Sequence, residues 1–499
     1  MPLESSFDKK KCIKESNYSL KDMHLKIRNW IIWILLFLLI SSAGLCIVFW
    51  FTNFFNYSII SNLKLKNGTL SFEWWQRPKV HAVYRVRLFN YTNVDDFEAE
   101  KVSKLYVEEV GPYIYREYLT RVNPEIGLDG TITYQEMRSY HWESGHSDHE
   151  VITVPNIPLF TAMAFSRDMS FLTQVSLTAI LSTIQAKAFI KVSAGDFLWG
   201  YDDELFRIAK PVIEWQQNIP YEKFGMLAFK TGLSNDRITI NSGVHNLRNI
   251  GNIIRVNGKS TRNIWHNKSC DKIEGSDGSI FPPKILQNYG DVIKVYAKEM
   301  CRPISLEYSH TNHSKGIPVL RYTLSENVFI SNSTYNSCFC QKHVNANEQA
   351  APTCSPEGIF NNSLCHYGAP MLSSFPHFFK ANEKLLTHIK GLKPKKEQHS
   401  TYIDLHPRLG VPIGGWSRIQ LNLEVRKADA VPFIGHIKDG TVLPILWIEV
   451  GINKIPKSAM NILYHAYYTL NAVETCLQIG SLTGLLIITV SLFIILYKH

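Results

Sequence analysis

The 499-residue sequence lacks the local signatures of common hydrolases and nucleotide-binding enzymes. The stretch His149-Glu150-Val151-Ile152-Thr153 stops short of a metalloprotease HExxH motif, because Thr153 cannot replace the second zinc-binding histidine. Gly258-Lys259-Ser260 ends like a phosphate-binding loop, but Ile253 stands where the first glycine belongs. No GxSxG nucleophile elbow occurs. The sequence therefore predicts no enzyme, no catalytic residues and no cofactor, although a triad assembled across the fold would have no local signature.

A dense polar cluster at 141–149 leaves two interpretations open. It contains His141, His146, Asp148 and His149, which are residue types that bind transition metals. A solvated turn between strands is the alternative to a metal site, and the turn is the prediction adopted here. No metal is therefore expected.

Charged residues are missing from two stretches of 22 residues, 30–51 and 476–497. As helices they would each be about 33 Å long, enough to cross the hydrocarbon core of a bilayer. A buried helix of a soluble protein is the alternative, but such apolar runs rarely exceed about 14 residues. A cleaved signal peptide fits poorly, because 29 residues precede the first stretch. Both stretches are predicted to be transmembrane helices.

The charge balance predicts which side of the membrane each segment occupies. Segment 1–29 carries seven lysines and arginines against four acidic residues, and positive flanks stay in the cytosol. Segments 1–29 and 498–499 are therefore predicted to be cytosolic, and 52–475 to form one ectodomain without an internal linker or repeat. The net charge of +10 does not indicate a nucleic-acid partner, because this topology keeps the ectodomain away from nucleic acid. For the run KGLKPKK at 390–396, a solvated loop and a ligand patch are the alternatives.

Cysteines and glycosylation sequons support the same sidedness. Six of the nine cysteines lie within the ectodomain, which in an oxidising compartment predicts three disulfides among fifteen possible pairings. A zinc site is the alternative, but Cys338 and Cys340 are too close for a CxxC pair. Cys12 is interpreted as a cytosolic thiol, with palmitoylation as the alternative. The predicted glycosylation sites are Asn56, Asn67, Asn90, Asn267, Asn312, Asn332 and Asn361.

Hydrophobic periodicity predicts a mainly β ectodomain with one helical insertion. Strands are predicted at 80–89, 102–118, 131–140, 151–154, 237–240, 316–323, 419–425 and 442–450. Gly111-Pro112 is expected to divide the second of these into two extended pieces. Stretch 158–189 has helical spacing and a break at Ser166-Arg167-Asp168, which predicts two helices and the only long helical segment of the ectodomain. One helix face carries Leu172, Val175, Ala179 and Ile180.

Short motifs in the same order along nearly the whole chain resemble the class B scavenger receptor family, which includes the fatty-acid translocase, the high-density-lipoprotein receptor and the lysosomal integral membrane protein. Each motif is weak alone, whereas their order, the six cysteines and the two apolar runs together are specific. The motifs are Leu88-Phe89-Asn90-Tyr91-Thr92-Asn93, Glu109-Val110-Gly111-Pro112-Tyr113-Ile114-Tyr115-Arg116-Glu117, Leu198-Trp199-Gly200-Tyr201, Phe281-Pro282-Pro283, Lys315-Gly316-Ile317-Pro318-Val319, Cys338-Phe339-Cys340, Pro376-His377-Phe378, Thr401-Tyr402-Ile403-Asp404 and Pro444-Ile445-Leu446-Trp447.

The resemblance implies a large antiparallel β-barrel-like ectodomain, an apical helical bundle at 158–189 and a mostly apolar internal tunnel. It also implies the disulfides Cys270–Cys338, Cys301–Cys365 and Cys340–Cys354. Phe171 and Leu172 fall where a family member exposes an apolar apex residue, and burial in the bundle core is the alternative. The fatty-acid translocase type carries a lysine where this chain has Thr183. Lys187 and Lys191 are the nearest basic residues that could bind a carboxylate.

The function implied by the resemblance is that of a cell-surface receptor. Such a receptor binds lipoproteins or lipids, such as fatty acids, sterols and phospholipids, at the apex and passes lipid through the tunnel to the membrane. The alternative is a docking or endocytic receptor for a protein or apoptotic-cell ligand without lipid transport. The plasma membrane is the expected location, since the short C-terminal tail lacks room for an acidic dileucine signal. Endosomal or lysosomal membranes are the alternative location.

Overall fold

The chain divides into two units, one formed by Met1–Ser61 with Ile462–His499 and the other by Asn62–Asn461. The computed structural model describes residues 5–214, 221–265, 267–284, 292–325, 328–330, 336–340, 354–366 and 368–497. Both ends of the chain thus belong to the smaller unit, and the larger unit is one continuous stretch of sequence.

Helices and strands within the described residues are numbered here in chain order. The α-helices are α1 (Ser5–Phe51), α2 (Phe54–Ser61), α3 (Leu70–Gln76), α4 (Val94–Glu98), α5 (Ile157–Ser166), α6 (Phe171–Thr183), α7 (Ala194–Trp199), α8 (Glu204–Glu214), α9 (Lys396–His399), α10 (Lys457–Tyr464) and α11 (Leu470–Tyr497). The strands are β1 (Val83–Tyr91), β2 (Leu105–Ile126), β3 (Thr131–Gly145), β4 (Val151–Pro155), β5 (Phe189–Ser193), β6 (Gly232–Leu233), β7 (Ile238–Asn241), β8 (Ile253–Val256), β9 (Val292–Ala297), β10 (Arg302–Ser314), β11 (Ile317–Leu324), β12 (Ile359–Asn361), β13 (Met371–Ser374), β14 (Ile389–Lys390), β15 (Tyr402–Leu405), β16 (Pro412–Glu424) and β17 (Val442–Gly451).

Two helices of the described residues are long and apolar enough to cross a membrane, Leu25–Phe51 and Lys457–Tyr497. The first lies in the smaller unit, and the second lies in it from Ile462 onward. They include both predicted transmembrane stretches. The Trp50 indole donates to the carbonyl of Gln478 at 3.0 Å, and the Gln478 amide donates to the carbonyl of Phe49 at 2.9 Å. Polar groups in hydrocarbon find no water, so these reciprocal hydrogen bonds stabilise the pairing of α1 with α11.

The main sheet of the larger unit is nearly closed. Its strand order is β8-β7-β3-β2-β1-β17-β16-β15-β11-β10-β9, and these neighbours are antiparallel. Gly275 accepts a hydrogen bond from the amide of Ile253 in β8, and Ser276 bonds Lys294 and Tyr296 of β9 at 2.9 Å. One short segment therefore pairs both sheet edges, which would otherwise present unpaired backbone groups.

Strand register separates an inner from an outer face of this sheet. Tyr118 and Met137 point outward, because about half of each side chain is exposed. Neighbouring residues along a strand point to opposite faces, so Glu117 and Arg138 point inward. Paired residues on adjacent strands point to the same face, so the register identifies the inner residues of the other strands. It places Tyr84 of β1 on the inner face and extends this assignment through β17 to β16 and β15.

The inner face of β2 and β3 carries a buried ionic network. Arg138 lies 3.3 Å from the Glu117 carboxylate and 3.0 Å from the Glu136 carboxylate, which also bonds Lys298. Tyr140 donates to Glu117 at 2.9 Å. Burial raises the pKa of Glu136, but Lys298 and Arg138 outweigh it and lower that pKa to about 2. This wall of the sheet is thus polar, although most of its groups are hidden from water.

The structure contains the three disulfides Cys270–Cys338, Cys301–Cys365 and Cys340–Cys354. They are the pairs that the family resemblance implies. Two of them join residues 64 and 68 positions apart, around a cluster of buried aromatic rings that includes Trp265, Phe339 and Phe360. A cross-link between distant residues reduces the conformational entropy of the unfolded chain most, so these two bonds are expected to stabilise this cluster.

Two expectations about secondary structure differ from the structure. Gly111-Pro112 does not divide a strand, because β2 runs without interruption from Leu105 to Ile126. Gly111 has a φ of +118° and faces a register shift between Val86 and Leu88, so the glycine permits a local irregularity instead of a break. The stretch 158–189 is not the only long helical segment, because α8 spans Glu204–Glu214. A proline inside that helix, Pro211, obscured its pattern.

Replacing Glu136 with glutamine tests the importance of the inner network. The variant leaves the half-buried Arg138 and Lys298 with one carboxylate fewer, and we expect a loss of about 1–3 kcal/mol in the free energy of unfolding. Glu108→Gln is the matched control on the same sheet, because Glu108 is exposed and its change should stay within about 0.5 kcal/mol. Denaturant unfolding of both variants measures the difference. Equal stability of the two would contradict a structural role for the network.

Candidate functional site

A helical insertion, defined here as α5 and α6, lies between the paired strands β4 and β5. Asn156 caps α5 by accepting a hydrogen bond from the amide of Leu159 at 3.2 Å, and Pro158 occupies its first turn. Ser170 caps α6 by accepting from the amide of Thr173 at 3.3 Å. The break between the two helices falls at 167–170, as the sequence predicts. Both helices therefore begin at defined caps.

Helix α6 presents apolar side chains to solvent and a polar side chain to the protein. Phe171 is 73% exposed and Leu172 is 75% exposed, and Val175 is also exposed. Gln174 is 7% exposed, and Leu181 is the other buried side chain of the helix. A usual surface helix has one apolar stripe that faces the core, whereas α6 is apolar on its exposed side as well. The predicted apolar face of α6 is thus a surface.

Hydrogen bonds also tie the buried side of this helix to the fold. The Gln174 amide donates to the carbonyls of Arg167 and Met169 at 3.3 Å, and its oxygen accepts from the amide of Ala430 at 3.0 Å. The Thr178 hydroxyl donates to the carbonyl of Ala430 at 2.6 Å. The buried glutamine is therefore satisfied through both ends of its amide.

The three polar ligand residues predicted beside this helix are also exposed. Thr183 donates its hydroxyl to the carbonyl of Ala179 at 2.9 Å, within its own helix. Lys187 lies in the loop before β5, and Lys191 lies on β5 opposite Thr153. All three lie within or close behind α6 in sequence. Their role in ligand binding stays a prediction.

Apolar residues continue along the inner face of the main sheet. Ile419, Leu421 and Val450 lie on the face that also carries Val86, as the register from β1 through β17 to β16 shows. The three are only half-buried, whereas Val86 is fully buried. This part of the inner face is apolar, unlike the ionic network on β2 and β3. Because its three residues are only half-buried, some of its apolar surface remains accessible. Two cavities formed by described residues measure about 20 Å³ and about 10 Å³, which is room for a water molecule or two.

The predicted glycosylation sites differ in exposure. Asn67 and Asn267 are exposed, whereas Asn56, Asn90, Asn312 and Asn361 are half-buried. The side-chain oxygen of Asn90 accepts a hydrogen bond from the amide of Thr153 at 2.8 Å. Asn332 lies outside the described residues. Glycosylation at these positions stays a prediction.

The polar cluster at 141–149 is tied into the fold by hydrogen bonds. His146 lies 2.9 Å from the Glu150 carboxylate, which also accepts from the Tyr113 hydroxyl at 2.8 Å. Tyr115 donates to Asp148 at 2.7 Å. Within the part of the chain that the structure describes, no group of three or more histidine, cysteine or acidic side chains is placed to hold a metal. His146, Asp148 and His149 lie between β3 and β4, whereas His141 lies on β3.

Sequence reasoning missed two features of this site. The contact of Gln174 with Ala430 joins residues 256 positions apart, and no local pattern links them. The inner ionic network similarly needs Lys298, which lies 162 positions from Glu136. The alternation of charged and apolar residues in β3 was a signal for the second feature, because it places Glu136 and Arg138 on one face.

The fold and the site together define a class of protein: a mainly β unit with three disulfides in a chain that carries an apolar helix near each end. Comparison with known proteins agrees. The CD36 family model matches residues 33–496. Lysosome membrane protein 2 of Mus musculus is 30% identical over 425 residues, covering 84% of both chains. Scavenger receptor class B member 1 of Bos taurus is 28% identical over 418 residues, covering 83% of this chain and 78% of the relative.

The chain belongs to the CD36 family. The match extends from inside the first apolar helix to the end of the last one and so includes both units. It confirms the resemblance found in the motifs. The protein is therefore a membrane protein of this family with two apolar helices.

Replacing Gln174 with alanine tests how α6 is held. The change leaves the amide of Ala430 and two carbonyls without their partner, so we expect a local loss of about 1–3 kcal/mol. Hydrogen exchange of the α6 amides should accelerate accordingly, while exchange in β17 stays unchanged. Ser176→Ala is the control, since the Ser176 hydroxyl is exposed and bonds only the Leu172 carbonyl of the same helix. Unaltered exchange in Gln174→Ala would contradict the tether.

Proposed function

We propose that the chain is a receptor that captures lipoproteins or lipids on α6 and passes lipid along the inner face of the main sheet. The observation that carries this proposal is the exposed apolar face of α6, which presents Phe171, Leu172 and Val175 to solvent. Exposed contiguous apolar surface often marks a binding site for another apolar surface. The bovine relative's name, scavenger receptor, agrees with a receptor role.

The energetics favour an apolar ligand at α6. Fully burying a phenylalanine or leucine side chain contributes roughly 1.5–3 kcal/mol, so Phe171 and Leu172 together could supply several kcal/mol to a complex. The hydrogen bonds of Gln174 and Thr178 keep both side chains exposed before the ligand arrives, which reduces the ordering cost of binding. Thr183, Lys187 and Lys191 would then contact the polar head groups of a lipid. Capture needs no catalytic step.

Passage of lipid relies on the apolar part of the inner face. Each buried CH₂ group of an acyl chain gains about 0.8 kcal/mol over water. Half-buried Ile419, Leu421 and Val450 offer such contacts, whereas the network around Glu136 does not.

The proposal also includes the orientation of the chain in the membrane. Residues 52–475 lie outside the cytosol, 1–29 and 498–499 lie inside it, and the chain acts at the plasma membrane. Three disulfides support an oxidising compartment for the ectodomain. One relative is named for the lysosome, so surface biotinylation and lysosomal co-staining should be measured together. Surface labelling of most of the protein is the expected result.

A docking receptor without lipid transport is the second candidate. The exposed face of α6 supports it, because a protein ligand needs only that face and no passage for lipid. Endocytosis would then follow capture. The two candidates make different predictions for substitutions on the inner face of the sheet.

Leu172→Asp tests capture at α6. A charge at this position opposes burial, so we expect binding of labelled high-density lipoprotein to transfected cells to fall at least tenfold. Leu128→Asp is the control, because Leu128 is a fully exposed leucine in the turn between β2 and β3. Surface expression should be equal in both variants. Binding by Leu172→Asp at the level of the control would refute the role of α6.

Val450→Trp tests passage along the inner face. A bulky ring there should reduce uptake of a labelled sterol ester from bound lipoprotein by at least fivefold and leave lipoprotein binding unchanged. Tyr118→Trp places the same ring on the outer face and should change neither. If Val450→Trp keeps full uptake while its fold is intact, the docking receptor is the correct function.

A further inference from the structure

A basic loop, defined here as residues 390–396, concentrates positive charge on the larger unit. Stretch 380–400 contains six lysines against two glutamates, whereas the net charge of all 499 residues is +10. Lys390, Lys393, Lys395 and Lys396 are all exposed. This short segment therefore accounts for a large part of the net charge of the chain, and it is separate in sequence from α6.

The backbone of the basic loop is fixed to the fold. Strand β14 pairs with the start of β2, and Gly391 follows it with a φ of +102°. A Cβ at Gly391 would overlap the backbone of Val107, so only glycine permits this close approach. The amide of Lys393 donates to Nδ1 of His377 at 3.1 Å, and the amide of Lys395 donates to Nδ1 of His399 at 3.0 Å. The loop is thus held at three places.

The two histidines are themselves immobilised. Their rings stack with centroids 4.8 Å apart. Nε2 of His377 bonds the Glu109 carboxylate, which also accepts from the Trp447 indole at 3.0 Å. Nδ1 of His377 accepts from the loop and its Nε2 faces Glu109, so both ring nitrogens have partners. Burial lowers the pKa of His399 to about 4, so its Nδ1 also remains an acceptor at neutral pH.

The lysine side chains of the basic loop are not used by the fold. Within the described residues, Lys390, Lys393, Lys395 and Lys396 form no ion pair and no side-chain hydrogen bond. A fixed backbone thus presents four ammonium groups to water. Such an arrangement loses little conformational freedom when an anion binds, apart from that of the side chains.

We propose that the basic loop binds a linear sulfated polysaccharide. Lysine ammonium groups act as point charges and attract a polymer that carries repeated anionic groups. The loop spans at most about 25 Å, so one short stretch of a chain molecule could meet its four charges together. Polybasic segments that bind membranes adjoin a membrane helix, whereas this loop is far in sequence from both apolar helices. On the proposed outer side of the cell, sulfated polysaccharides are the polyanions of this shape.

Heparin, a sulfated polysaccharide, is the probe for the full-length glycosylated protein in detergent. We expect saturable binding whose affinity falls at least tenfold in the triple variant K393Q/K395Q/K396Q. Binding should weaken as salt rises, and the slope of log affinity against log salt should shrink by about 0.7–0.9 for each lysine removed. The control K66Q/K259Q/K268Q removes three exposed lysines elsewhere and should change the affinity less than twofold.

Further variants and probes distinguish binding at the basic loop from attraction by the overall positive charge of the protein. His399→Phe keeps a stacked ring but removes the acceptor for Lys395, so affinity should fall about threefold with all lysines present. Equal losses in the two triple variants, or no heparin binding by the wild type, would overturn the proposal. Binding to phosphatidylserine vesicles but not to heparin would overturn it in favour of a membrane contact. Lipoprotein capture by Leu172→Asp is a separate measurement, so failure of either proposal can be recognised.

Discussion

The pairing of both edges of the main sheet is the constraint on which the larger unit depends. Gly275 and Ser276 hydrogen-bond to β8 on one side and β9 on the other, so the edge strands have partners and the sheet has an inner face. An open sheet would have two solvent-accessible faces and no interior. Because closure creates an interior, the inward residues of each strand decide what the protein can enclose.

That interior is chemically divided. β2 and β3 contribute an ionic network around Glu136 and Arg138, whereas β16 and β17 contribute Ile419, Leu421 and Val450. Buried charges are tolerated only when they are paired, and the network meets this condition. An acyl chain that covered the charged groups would remove their remaining hydration, so a lipid in this interior would contact the apolar side at lower cost. Helix α6 adds an exposed apolar surface that the fold holds by polar bonds.

The sequence predicted the bounds of several helices and strands well, but it predicted less well which of their faces are buried. Strand periodicity placed β1, β3, β4, β11 and β17 within a few residues of their bounds, because alternation follows directly from the pleat. The helical spacing of α6 predicted an apolar face, but periodicity does not say which way a face points. That direction depends on Gln174 bonding Ala430, 256 residues away. Pro211 hid α8, and Gly111-Pro112 resembled a break although β2 continues through it.

The central claim is that the interior of the sheet accepts lipid. Mass spectrometry of lipids that co-purify with the full-length glycosylated protein tests this claim most directly. The account predicts a bound acyl lipid or sterol in near-stoichiometric amount, reduced in a variant whose inner apolar wall is filled. Purification of a folded, disulfide-bonded protein with no lipid above the detergent background would contradict it.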